Sequence, residues 1–147
     1  MGVLTDYFIA KNDSDAARAH TSPGGPKRAG FPTAEWKSID PVVCMAALDE
    51  VVTGRNALEW IKSKPPDSAI AGSDDDEHWV FRVYDHHFAV LAALTNEQLP
   101  DVARKWAAQE ELREFRPDDV REALTDLVRL ARDARAAGAH LYCWISL

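Results

Sequence analysis

The chain has 147 residues, 46% of them apolar and 28% charged, with a formal net charge of −7. That length suits one core, and the composition is too hydrophobic for a disordered chain, so a single globular domain over residues 1–147 is expected. Residues 74–147 carry 9 Lys and Arg against 15 Asp and Glu, a balance of −6 that repels phosphate backbones, argues against a nucleic-acid partner and suits a basic protein partner.

Asp6–Ala10, with Tyr7, Phe8 and Ile9 in succession, reads as a short strand. A short helix is expected after it, capped by Asp13 or Ser14 and favoured by Ala16, Ala17 and Ala19. The run Thr21-Ser22-Pro23-Gly24-Gly25-Pro26 through Gly30 breaks regular structure, and a flexible Gly/Pro loop is expected near residues 21–33. No phosphate-loop spacing accompanies its glycines.

Glu35 to Ile39 alternates, and Asp40-Pro41 then starts a helix: the Asp40 carboxylate can accept orphan amide protons, and Pro41 lacks one to leave unpaired. Val42, Val43, Met45, Leu48, Val51 and Val52 give that helix a wide apolar face, and Gly54 ends it. A shorter helix is expected from Asn56 to Ser63, stopped by Pro65-Pro66.

An acidic loop at 72–77 carries Asp74, Asp75, Asp76 and Glu77. His78–Tyr84 follows as a well-buried strand, and Asp85 is placed to cap a helix through Phe88, Leu91 and Leu94. Thr95-x-x-Gln98 resembles a capping box for the next helix, which continues through Val102 and Trp106. Pro117 opens the longest helix, where Val120, Leu124, Leu127, Ala131 and Ala134 share one face, and Gly138 closes it. The final run Leu141–Leu147 is apolar on both faces, as an interior strand must be. These elements define an α+β fold, a small sheet of three or four strands covered by helices.

The order of features over roughly residues 40–147 resembles the YfbM-like family of uncharacterised bacterial proteins. The likeness rests on Asp49-Glu50-Val51-Val52-Thr53-Gly54, Ser68-Ala69-Ile70-Ala71-Gly72, Phe81-Arg82-Val83-Tyr84-Asp85 and the closing helix with its hydrophobic strand. It implies a fold and no catalytic residue, because the family has no established activity.

No catalytic motif stands out. His86 and His87 are adjacent and project about 100° apart on a helix, so one ion would rarely take both, and no metal or cofactor is expected. Cys44 and Cys143 read as reduced core residues, and His140, three residues from Cys143 on a strand, faces the other way. The N-terminus carries no basic, long apolar signal region and no apolar run reaches the ~20 residues of a membrane span, so a cytoplasmic location is expected. The leading reading is a non-catalytic, immunity-type or regulatory module that binds a basic protein through Asp74, Asp75, Asp76 and Glu77, with Trp36 and Trp60 as aromatic anchors. The alternative is a small enzyme with a non-local site around Asp85, His86 and His87, with Glu59 nearby.

Overall fold

The computed structural model describes residues 2–65, 69–73 and 75–147; Pro66, Ser68 and Asp74, which figure in the expectations above, lie outside them. The final run is an interior strand, as its two apolar faces require. Strand β5 (His140–Ser146) lies at the centre of a five-stranded antiparallel sheet, between β1 (Leu4–Ala10) and β4 (His78–Arg82). Strand β2 (Thr33–Lys37) extends the β1 side and β3 (Ala69–Ala71) the β4 side, giving the order β2-β1-β5-β4-β3. Five strands replace the expected three or four. The three-residue β3 is shorter than any periodic signal, and it pairs with β4 across a register shift.

Strand alternation divides the sheet residues between two cores. Tyr7, Leu141 and Cys143 belong to the larger core, with residues of α4 (Val43–Thr53), α6 (Asp85–Ala93), α7 (Leu99–Ala107) and α8 (Pro117–Ala136). Phe8, Ala10, Val80, Tyr142 and Trp144 turn to the smaller one, with Ala16, Ala19 and Phe31. That second layer is built from the segment expected to be a short helix followed by an irregular Gly/Pro loop. It folds into three single-turn helices: α1 (Asp13–Ala16), α2 (Arg18–Thr21) and α3 (Gly25–Arg28). One-turn helices carry no readable period, and their alanines and glycines let the chain lie close on the sheet. A β-carbon on Gly25 would stand 3.2 Å from the Trp144 ring, and the residue adopts φ +79°.

The caps follow local chemistry. Asp40 Oδ1 accepts from the amides of Val42 and Val43 at 2.8 and 2.7 Å, and Gly54 closes α4 in the left-handed region at φ +80°. Asn12, rather than Asp13 or Ser14, caps α1 by accepting from Asp15 N–H at 2.8 Å. Gln98 Oε1 accepts from Thr95 N–H at 2.9 Å, the reach-back half of a capping box, in the turn before α7. Asp85 is the first residue of α6 rather than its side-chain cap. Across the larger core, Trp106 Nε1 donates to Cys44 O at 3.0 Å and Tyr7 OH to Ile39 O at 2.6 Å, tying α7 to α4 and the sheet to the start of α4. The expected face of α8 is buried throughout, from Val120 to Ala134. Strand β4 departs from expectation: Val80 is buried, while Trp79 and Phe81 are half-buried and Trp79 Nε1 donates to Ser73 O at 2.8 Å.

Candidate functional site

Two helices bring a buried acid to a histidine pair. Asp49 lies in the last turns of α4 and is 1% exposed, although a carboxylate is rarely buried unpaired. His86 comes from the first turn of α6, and its Nε2 donates to Asp49 Oδ1 at 3.0 Å. Thr53 Oγ1 donates to the same oxygen at 2.8 Å, and Arg55 Nε stands 4.0 Å from Asp49 Oδ2. The carboxylate fixes the imidazole's orientation and its Nε2–H form. A groove of about 320 Å³ opens beside the pair, lined by Val52, Thr53, His86, Ala89, Val90 and Leu94 among others.

His87 points elsewhere, as the helical turn per residue demands. It is 2% exposed, and neither ring nitrogen has a hydrogen-bond partner among the described residues. Trp60, from α5 (Ala57–Ser63), stacks over it at 4.4 Å between ring centres and 49° between planes; Tyr84 meets its edge at 6.1 Å and Trp60 at 5.2 Å. Burial pushes the imidazole's pKa down to about 4; Asp49 opposes that shift, while His86 and Arg55 add to it.

Asp85, expected beside the histidines, is turned away from them. It accepts from Arg82 NH2 at 3.0 Å, and Arg82 NH1 donates to Asp13 Oδ1 at 3.3 Å, with His140 Nδ1 3.1 Å from NH2. Tyr142 OH donates to the same Asp13 oxygen at 2.7 Å. This network ties α1, β4, β5 and α6 together at the mouth of a cleft of about 290 Å³, whose walls include Pro41, Val42, Phe81 and Tyr84. Glu59 is exposed on α5.

The expected protein-binding residues that are described differ in their surroundings. Asp75 and Glu77 are exposed, but Asp76 Oδ2 is turned into its own loop, where it accepts from Ser73 N–H at 2.7 Å and lies 3.3 Å from His20 Nε2. Its carboxyl is held below the usual range, first by the Ser73 amide. Trp36 is half-buried against the larger core, with Nε1 donating to Asp126 Oδ2 on α8 at 3.2 Å, whereas Trp60 sits over His87. Both cysteines are free and buried; burial pushes the Cys44 thiol to about 12 and the Cys143 thiol well above its ordinary value. Among the described residues no group of three or more His, Cys, Asp or Glu side chains converges as a metal-ligand set, and no helix is long and apolar enough to cross a membrane.

Sequence reasoning found His86, His87 and Trp60 but not Asp49. That residue sits 37 positions before His86 on a different helix, and its one local signal was a carboxylate on the helix face shared with Met45, Ala46 and Val52.

By architecture, the chain is an α+β protein with one open antiparallel sheet between a layer of longer helices and a layer of single-turn ones. No family model matches it, and no curated protein does. A solved structure it resembles is that of YfbM from Escherichia coli, described as a protein of unknown function. The match covers 98% of this chain and 99% of that one, at 9% identity and a TM-score of 0.45.

Proposed function

We propose that the chain is a protein-binding module that meets its partner through α5. The observation that carries this is that α5 is a folded helix with no fully buried side chain: Leu58 is 60% exposed and Trp60 and Ile61 are half-buried. Such a helix offers a partner an apolar anchor at the surface. The chain's net charge of −7 favours a basic partner, with Asp75 and Glu77 contributing to steering rather than contact. The test is capture from the native lysate with wild type, with Leu58→Asp and with Asp75→Asn/Glu77→Gln. A stoichiometric basic partner that Leu58→Asp loses, with the circular-dichroism spectrum unchanged, is the expected result. Retention by Leu58→Asp and loss by the charge variant would move the contact to the acidic turn. Capture of no partner would sink the reading.

One observation favours a second reading, an acid–base site. The Asp49–His86 pair joins a buried carboxylate to a half-exposed imidazole beside a groove, an arrangement that serves proton transfer. It replaces the Asp85-centred version, since Asp85 belongs to Arg82. A turnover found in a substrate screen and abolished by His86→Ala at unchanged fold would establish it over the binding reading.

A further inference from the structure

We propose that His87 is a proton-sensing seat for α5: uptake of a proton by its imidazole unseats Trp60 and releases the helix from the core. The inference concerns how α5 is held and stands whether or not α5 meets a partner.

Among the described residues, α5 is held at both ends: just past its last turn Tyr84 OH donates to Pro65 O at 3.1 Å. At its first turn Glu50 Oε1 accepts from Ala57 N–H at 3.1 Å, and further along Trp60 rests on His87 and against Tyr84. The seat is a polar ring treated as an apolar one. A 98%-buried imidazole with both nitrogens unpartnered is tolerable only while neutral, and a protonated ring has two N–H donors that each need an acceptor.

Among the described residues, no acceptor stands within hydrogen-bond reach of either ring nitrogen. From α4, Asp49 favours the charged form, but its Oδ1 already accepts from His86 and Thr53. From the link between α4 and α5, Arg55 opposes a second cation, and so does His86 on the same helix. Trp60 and Tyr84 offer ring faces and edges, and Lys64 Nζ stands 6.0 Å from the centre of the Tyr84 ring. An imidazolium stacked on an indole does gain a cation–π attraction, which is smaller than the hydration lost by a charge in a dry site. The depressed basicity of His87 agrees in direction, with burial as its largest cause. Opening α5 hydrates the ring and exposes the half-buried Trp60 and Ile61, but no fully buried side chain.

The test is hydrogen exchange of the residue 57–63 amides against pH, corrected for intrinsic rates, alongside an NMR titration of the His87 ring protons in the wild type. The opening equilibrium of α5 should rise by up to about tenfold per pH unit from about 6.5 down to about 4, with the His87 ring of the closed majority titrating only near 4 and α8 staying protected. His87→Phe, which keeps an aromatic seat for Trp60, should abolish the rise, and His86→Gln should keep it. An opening equilibrium in the wild type that does not change down to pH 4 would overturn the proposal, as would a His87 ring that titrates near 6.5 or an equal rise in His87→Phe. If His87→Phe does not fold, the wild type decides alone: a rise in opening that begins near 6.5 with a ring midpoint near 4 supports the proposal, and a pH-independent opening or a ring midpoint near 6.5 overturns it.

Discussion

Asp6 is a carboxylate in a strand position that prefers a neutral side chain. It is 6% exposed, lies opposite Glu35 on β2 and Trp144 on β5, and has a pKa pushed up to about 6. Burial is the main cause and Glu35 the next, a like charge directly across the ladder; Lys27 pulls the other way but is itself paired with Glu35 at 3.0 Å. The folded state therefore binds this proton more tightly than the unfolded chain does. Its stabilising contribution is complete below the unfolded value of 3.8 and lost as pH rises through about 6. Asp6→Asn removes that loss. It should raise stability at pH 7 by about 3 kcal/mol, with the gain gone by pH 4, as measured by urea denaturation at both values. Nothing in the sequence marked Asp6 as unusual, because its burial depends on β2, β5 and α3, all brought over it by the fold.

At the scale of elements, the structure bears out what has a period or a chemical stop. The α4 start at Asp40, the α5 span, the buried face of α8 and the interior position of β5 all follow from side-chain spacing and capping that act within about 20 residues. The smaller core was not legible, because Ala16, Ala19 and Phe31 have meaning only once β1 and β5 present Phe8, Tyr142 and Trp144 to them. The candidate site shows the same division: adjacent histidines are visible in a sequence, whereas the helix crossing that supplies Asp49 is not. Strand β5 has the largest structural role of these elements. It pairs on both sides, and Leu141, Tyr142 and Cys143 are at most 1% exposed. Ending the chain at Ala139 strips both cores of their central wall and leaves β1 and β4 without a shared partner. The expected outcome is loss of any cooperative transition in thermal denaturation followed by circular dichroism; a cooperative transition within about 10 °C of the full-length chain would show that β5 is dispensable.

Across the whole molecule, two buried groups that share no partner among the described residues oppose one another in acid. Asp6 has its pKa raised to about 6 and stabilises the fold increasingly as pH falls from there to 3.8. His87 has its pKa lowered from 6.5 to about 4, so its unfolded form takes the proton first, and stability is lost as pH falls through that interval. Each window spans a little over two pH units, which at about 1.4 kcal/mol per unit makes each effect about 3 kcal/mol. Between pH 4 and 6 the two slopes have equal size and opposite sign, and a nearly flat stability profile follows from their cancellation. The depressed carboxylates of Asp76 and Asp101 act only at the acid end of that range. Removing one partner uncovers the other. In Asp6→Asn, stability should fall by about 1.4 kcal/mol per pH unit on acidification until α5 comes free, and in His87→Phe it should rise by a similar amount. Urea midpoints at pH 4, 5 and 6 for the two variants and the wild type measure all three slopes. Parallel profiles would mean that at least one of the two groups is hydrated in the folded chain, and the variant whose slope matches the wild type would identify which.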